Sequence, residues 1–176
     1  ASQDTRSAGI VTQLYKINEV GMSFFRNALH GKGGLEARNY LAKRTIKKET
    51  AELFNLGYAP GEWGALMAHL KSQQINLGEI EKAGLILAKE AGGYYDRFRN
   101  RIVFPITDIQ SRVIAFGARE IPLEAQKSQV SEMPKYLNSP ETPLYVKGRN
   151  LYGLNLAKDA IRQQDCAVVV EGYLDL

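Results

Sequence analysis

Arginines occupy every second position along one short stretch of the chain. Arg97, Arg99 and Arg101 fall on one face of a segment with a period of two, and Arg119, on the next strand, is predicted to lie opposite Arg99 or Arg101. Guanidinium groups bind phosphate oxygens in bidentate pairs and keep their charge at all relevant pH values. No acidic cross-strand partner is evident, so an external anion would relieve the repulsion. The alternative is the solvated face of an edge strand.

A second basic stretch follows, between residues 133 and 152. Lys135, Tyr136 and Asn138 stand close together, and Lys147 comes shortly after them. These residue types offer charge to phosphate, a stacking surface for a base and amide hydrogen bonds, a mixture used to bind single-stranded nucleic acid. The alternative is an ordinary Asn-Ser-Pro turn with exposed neighbours. Residues 94–119 and 133–152 together carry a net charge of +5, whereas the rest of the chain is near neutral, so an anionic partner is expected.

One carboxylate follows a short apolar run near the end of the sequence. Residues 167–170 are suited to a buried parallel strand, and Glu171 and Gly172 come directly after them. A carboxylate at the carboxyl end of such a strand is placed for use as a metal ligand or general base. Magnesium takes further oxygen ligands, so Glu171 is an incomplete metal site, with Asp175 as the only other nearby acid. The alternative is a strand that merely ends in a polar residue.

Composition excludes several classes of protein. The 176 residues suit one domain or two small ones, and no apolar run is long enough to span a bilayer or act as a signal peptide. A single cysteine, Cys166, excludes a disulfide framework, and with only two histidines no cysteine-rich zinc site can form. We therefore expect a cytoplasmic protein with no membrane partner. Trp63 lies at helical spacing from Leu66 and Leu70 and is expected in the core.

Hydrophobic periodicity divides the chain into a helical half and a sheet region, which predicts an α+β fold. Residues 1–9 are expected to be a linker or disordered, residues 121–134 a surface loop, and 167–170 the first strand of a following α/β fold. Residues 94–104 are predicted to form a strand that pairs with 113–116 in an antiparallel hairpin. Helices are predicted over residues 10–29, Leu35–Lys43, 47–54, 63–71, 76–83 and 151–161.

Several of these segments, in the same order, resemble bacterial DNA primase of the DnaG type. The resemblance is carried by residues 95–106 (YDRFRNRIVFPI), 113–119 (VIAFGAR), 134–142 (PKYLNSPET), 147–149 (KGR), 151–154 (LYGL) and 170–175 (VEGYLD). The helical half agrees through Arg44 and residues 56–59 (LGYA). The resemblance covers about residues 10–176, and it implies that residues 10–164 are the amino-terminal subdomain of the primase catalytic core and 165–176 the start of a toprim domain.

The resemblance also implies an activity, the synthesis of short RNA primers on single-stranded DNA from ribonucleoside triphosphates during replication, with Mg²⁺ as cofactor. It places Glu171 as the first acidic residue of the toprim motif. The residues that would line the groove for template and nucleotide are Arg44, Arg97, Arg99, Arg101, Arg119, Lys135, Asn138 and Lys147.

Other parts of such a primase have no counterpart in these residues. The zinc ribbon, the remaining toprim carboxylates and the domain that binds the replicative helicase would lie elsewhere, so we expect a fragment that is inactive alone. The alternative function is a non-catalytic module that binds single-stranded nucleic acid.

Overall fold

A computed structural model of the chain describes residues 2–122 and 134–176. Its helices are α1 (Ser2–His30), α2 (Leu35–Lys43), α3 (Lys48–Leu53), α4 (Ala65–Ser72), α5 (Leu77–Lys82) and α6 (Leu154–Gln164). Its strands are β1 (Gly57–Ala59), β2 (Ile86–Ala88), β3 (Tyr94–Asp96), β4 (Arg101–Thr107), β5 (Val113–Glu120) and β6 (Tyr136–Asn138). The predicted α+β fold, with helices before an antiparallel sheet and a helix after it, is confirmed.

Four strands form the main sheet, in the order β1-β4-β5-β6, and every neighbouring pair is antiparallel. β2 and β3 form a separate two-stranded sheet. The long pair β4 and β5 is the predicted hairpin, since β-branched and aromatic residues predominate in β4 and in the first half of β5, and Asp108 to Arg112 make the turn. β6 lies at the edge of the main sheet and carries Tyr136 and Asn138.

The helix α1 packs against the main sheet and supplies much of the core. Leu14, Ile17 and Phe25 of α1 are buried, and Phe25 meets Phe116 of β5 edge to face with ring centroids 5.5 Å apart. The approach of α1 to β1 is so close that a Cβ atom at Gly57 would lie 2.5 Å from Cβ of Phe25 and 2.8 Å from its backbone carbonyl carbon. Only glycine fits at that point.

A second core cluster lies between α2, α3 and the other part of the sheet. Phe104 of β4 is 1% exposed and packs there with Leu29, Leu41 and Ile102. The cluster continues into the carboxyl-terminal segment, where the Tyr173 ring lies parallel to that of Phe104 at a centroid distance of 4.9 Å. Residues 170–175 are therefore joined to the sheet through aromatic packing.

The predicted strand over residues 94–104 is wrong, because the chain turns between β3 and β4. Asn100 adopts a left-handed conformation (φ 50°), and its carbonyl accepts a hydrogen bond from the backbone N–H of Ile121. The predicted row of three arginines on one strand face is thus interrupted, and only Arg101 lies in β4. The alternation of residue types did not indicate this break.

The predicted strand at residues 167–170 is also wrong, since these residues join neither sheet. Val168 and Val169 are 82% and 76% exposed, and no strand in the described residues lies beside them. An apolar run favours burial, but it forms a strand only where a partner edge is available.

The start of the first helix differs from the prediction, and most of one predicted loop lies outside the described residues. α1 extends back to Ser2, although residues 1–9 were expected to be a linker or disordered. Most of the predicted 121–134 loop, residues 123–133, lies outside the described residues. In the part of the chain that is described, no helix is long and apolar enough to cross a membrane.

Candidate nucleic-acid interface

Arg101 and Arg119 lie one register position away from the predicted pairing. Arg119 stands opposite Ile102, and Arg101 stands opposite Glu120. The expectation that the arginines lack an acidic cross-strand partner is therefore wrong for Arg101. Because side chains alternate along a strand, the shift by one residue places Arg101 and Arg119 on opposite faces of the hairpin.

Arg101 is a buried arginine, only 1% exposed. Its Nη1 donates to the carbonyl oxygen of Lys135 at 3.3 Å, and its Nε has no partner in the described residues. Burial lowers the pKa of this guanidinium, and Glu120 acts in the opposite direction. Arg101 therefore fixes the backbone at Lys135, while the Lys135 side chain itself is exposed to solvent.

Two arginines and two tyrosines form a group that we call the arginine–tyrosine cluster: Tyr40, Arg44, Arg119 and Tyr136. The guanidinium carbons of Arg44 and Arg119 lie 5.5 Å and 6.0 Å from the centre of the Tyr40 ring. Nη1 of Arg119 donates to the Tyr136 hydroxyl, and the same guanidinium lies 5.0 Å from the Tyr136 ring centre. The cluster brings α2, β5 and β6 together, with Arg44 exposed and Arg119 6% exposed.

Asn138 of β6 is held by the neighbouring strand β5 and by Arg97. It pairs with Gly117 of β5, and its carbonyl oxygen accepts hydrogen bonds from Nε and Nη2 of Arg97 at 3.1 Å and 3.0 Å. Burial lowers the pKa of Arg97. Arg97 thus acts on the backbone of Asn138, as Arg101 does on that of Lys135, so these two predicted binding residues position β6.

Arg99 belongs to a separate exposed patch around Trp63. The Arg99 guanidinium lies 4.2 Å from the centre of the Trp63 ring, and the ring of Tyr95 meets Trp63 at 5.6 Å. Trp63 is 62% exposed, so the expectation that it belongs to the core is wrong. Helical spacing misplaced it because α4 begins two residues later, at Ala65. An aromatic residue beside cations on the surface is suited to stacking with a base.

The loop that carries Trp63 is fixed by Asp96, a buried carboxylate. Asp96 accepts hydrogen bonds from the backbone N–H groups of Leu66 and Met67 at 2.8 Å and 2.9 Å, at the start of α4. Its own backbone N–H donates to the Trp63 carbonyl oxygen. Burial raises the pKa of Asp96, and the two hydrogen bonds oppose this effect only in part.

Lys147 and Glu171 line a cavity of about 470 Å³ between β6 and the carboxyl-terminal segment. Tyr136 and Asn138 line the same cavity. Both Lys147 and Glu171 are exposed to solvent, so an ammonium group and a carboxylate are available to a ligand there. Lys147 and Asn138 therefore line the same cavity as the predicted catalytic residue, whereas Arg99 lies with Trp63.

The described residues do not by themselves provide a magnesium site. Among the side chains described, those of residues 8–122 and 134–176, no group of three or more His, Cys, Asp or Glu could hold a metal ion. Oδ2 of Asp175 accepts a hydrogen bond from the backbone N–H of Gly172, and Glu171 is the other acid nearby. Mg²⁺ requires six oxygen ligands in near-octahedral geometry, which two carboxylates do not complete without water or substrate oxygens.

Comparison with known proteins identifies the family. The model of the DNA primase catalytic core, N-terminal domain, matches residues 24–158. The chain belongs to the DnaG primase catalytic-core family. The DNA primase of Synechococcus elongatus is 44% identical over 167 residues, which cover 93% of this chain and 23% of that protein.

Solved primase structures share the fold. A structure of the DnaG primase catalytic domain bound to single-stranded DNA matches with a TM-score of 0.80 and 36% identity, over 96% of this chain and 52% of that one. The zinc-binding and RNA polymerase domains of Aquifex aeolicus primase match with a TM-score of 0.81 and 34% identity, over 95% and 39%. The chain thus spans about a quarter of the curated relative and at most about half of these structures.

Proposed function

We propose that this chain forms the part of a DNA primase that binds single-stranded template DNA beside the site where ribonucleotides are joined into a primer. The observation that carries the proposal is that Arg44 and Arg119 both lie over the Tyr40 ring, while Arg119 also binds Tyr136, next to the exposed Lys135. Cations beside aromatic rings suit a strand whose phosphates and unpaired bases are both accessible. A related catalytic domain has been solved with single-stranded DNA, which supports this proposal.

The eight predicted binding residues take different parts in this proposal. Four residues contact phosphate in this proposal: Arg44, Arg119, Lys135 and Lys147. Three of them are exposed, and Arg119 lies in the arginine–tyrosine cluster, where it donates to the Tyr136 hydroxyl. Asn138 donates from its amide. Arg97 and Arg101 hold β6 through backbone carbonyls, and Arg99 orients Trp63, which stacks on a base.

Salt dependence of DNA binding tests the proposal. Each phosphate neutralised on a single strand adds about −0.7 to the slope of log K against log salt concentration, so four contacts give about −3. We expect Lys135→Ala to weaken binding and to reduce the magnitude of the slope by about 0.7. Lys71→Ala, which removes an equal charge from an exposed position at the end of α4, is the matched control and should leave both unchanged. Fluorescence anisotropy with a labelled oligonucleotide measures both quantities.

Two results would contradict the proposal. Affinity that does not fall as salt rises would mean that phosphate contacts do not drive binding. Equal losses for Lys135→Ala and Lys71→Ala would mean that the charge of the whole chain, and not this surface, attracts DNA.

Glu171 is proposed to act in the polymerisation step and not in template binding. It shares the cavity with Lys147, where a ribonucleoside triphosphate would place its phosphates against the ammonium group. Glu171→Gln is therefore expected to leave DNA affinity within about twofold, and to abolish primer synthesis in a primase that contains this chain. Undiminished synthesis by that variant would refute the role of Glu171. If primer synthesis by such a primase does not require this chain, the alternative function, a non-catalytic binding module, would be favoured.

The remaining parts of the proposal come from the family. They are magnesium completed by further carboxylates, zinc held in a separate domain, the replicative helicase as a partner through another domain, and a cytoplasmic location. Magnesium would add positive charge at the reacting phosphates. The residues described for this chain would bind and orient template and nucleotide around that reaction.

A further inference from the structure

The ring of Tyr173 is enclosed on three sides by this chain's own residues. It lies parallel to Phe104 at 4.9 Å with an angle of 12° between the planes, and it meets Tyr152 edge to face at 4.9 Å. On the sheet side it covers Gly117, where a Cβ atom would lie 2.5 Å from the Tyr173 hydroxyl oxygen. The ring therefore has a single position, which depends on glycine at 117.

The hydroxyl of Tyr173 ends at the side chain of Asn138. It donates a hydrogen bond to Oδ1 of Asn138 at 2.9 Å. Burial raises the pKa of Tyr173 to about 12, so the phenol keeps its proton and remains a donor throughout the physiological range. The carboxamide oxygen of Asn138 is thus occupied by a fixed donor.

The backbone of Asn138 has no freedom to change this arrangement. Its pairing with Gly117 and the two hydrogen bonds from Arg97 fix the main chain. Only the rotation of the side-chain amide group is then left to be set. A half-turn of the amide would turn the NH₂ group toward Tyr173, whose hydroxyl oxygen would then accept its hydrogen bond. The Tyr173 hydroxyl proton would be left without its acceptor, because Oδ1 of Asn138 is the partner it has in the described residues. The hydroxyl of Tyr173 therefore selects the orientation in which the NH₂ group points away from it.

We propose that Tyr173 is a positioning residue that presents the Asn138 NH₂ group to the DNA strand as a hydrogen-bond donor. The inference deepens the proposed function and rests on it, since it requires Asn138 to contact DNA. It assigns the chemistry of that contact: the strand supplies an acceptor, either a phosphate oxygen or a base carbonyl. It also ties the template contact to the segment that carries Glu171, two residues before Tyr173.

A double-mutant cycle on DNA binding tests the inference. Tyr173→Phe keeps the stacked ring and removes only the hydroxyl. We expect it to weaken binding of a labelled single-stranded oligonucleotide about three- to tenfold, the range that corresponds to one hydrogen bond. In the Asn138→Ala background the same change should have no further effect, because Tyr173 acts through Asn138. Melting curves of all variants verify that each is folded.

Gly117→Ala provides a second perturbation that leaves the hydroxyl in place. The added methyl group displaces the Tyr173 ring, so binding should weaken in the presence of Asn138 and stay constant in the Asn138→Ala background. If Gly117→Ala damaged the sheet in general, DNA binding would weaken equally with Asn138 and with Asn138→Ala. That result would mean that the Tyr173 ring does not act through Asn138, and it would overturn the inference.

The outcomes separate the inference from the proposed function. If Asn138→Ala weakens binding while Tyr173→Phe does not, the positioning role is refuted and the DNA contact of Asn138 stands. If Asn138→Ala leaves affinity unchanged, the inference is refuted as well, whereas the salt slope and the loss in Lys135→Ala still decide whether the chain binds DNA at this surface.

Discussion

Phe104→Ala should separate the stability of the domain from its DNA binding. The side chain is 1% exposed, lies in the second core cluster and stacks on Tyr173. Removing a buried phenylalanine side chain costs about 3–5 kcal/mol, a range that includes the cavity left behind, and aromatic pairs contribute about 0.5–1.5 kcal/mol beyond their buried area. We therefore expect a loss near 4 kcal/mol in the free energy of unfolding, or about 8–16 °C in Tm for a chain of this size.

Urea denaturation followed by far-ultraviolet circular dichroism measures this loss. Trp63→Ala is the control, because it removes a larger aromatic side chain that is 62% exposed, and it should cost less than about 1 kcal/mol. Its effect should instead appear in DNA binding, where loss of a stacked base corresponds to about 1–3 kcal/mol. A loss below about 1.5 kcal/mol for Phe104→Ala, or equal losses for both variants, would refute the assignment of Phe104 to the core.

The remaining predictions concern a close contact, a buried arginine and a buried carboxylate. Gly57→Ala should destabilise the fold by about 1–3 kcal/mol, because the added methyl group meets Phe25. Gly33→Ala, with open space around the added methyl group, should stabilise the fold by about 0.4–1 kcal/mol. Equal shifts of the two variants in thermal melts would contradict this. Arg119→Ala should lower the free energy of unfolding by about 1–3 kcal/mol, because it removes a hydrogen bond and buried packing. Lys135→Ala should lower it by at most about 0.5 kcal/mol, and urea titrations of both variants measure the difference. The pKa of Asp96 is raised on folding, so protonation of this carboxyl group stabilises the folded state. The contribution is fully present below the pKa of the unfolded state and is lost as pH rises through the pKa of the folded state. The stability of the wild type relative to Asp96→Asn should therefore decrease as pH rises above the ordinary carboxyl pKa of 3.8, and an increase would be inconsistent with a raised pKa.

Sequence patterns predicted the elements well where local signals and packing agree. The bounds of α2, Leu35–Lys43, match the prediction, because glycines precede the helix and its apolar residues face α1 and the sheet. The hairpin was also predicted, but its register was not. Pairing depends on the geometry of the Asp108 turn. Arg119 was expected opposite Arg99 or Arg101, and it pairs with Ile102.

The candidate site was predicted in its composition but not in its arrangement. Charge indicated the candidate residues for contact with an anion, yet it did not distinguish the exposed Lys135 from the buried Arg101, which binds the Lys135 carbonyl. That distinction depends on the left-handed turn at Asn100, which no alternation of residues indicates. The hydrogen bond from Tyr173 to Asn138 was not predicted, because Asn138 lies 35 residues earlier in the chain.

The exposed position of Trp63 has a practical consequence. It is the only tryptophan in the sequence, so its fluorescence, excited where tyrosine does not absorb, reports on one place in the molecule without any label. In the free chain its ring lies beside Arg99 and Tyr95, on the loop held by Asp96. A stacked base would quench that emission, and unfolding would shift it toward the wavelength of tryptophan in water. One optical signal thus follows both the occupancy of the patch and the integrity of the loop beneath it.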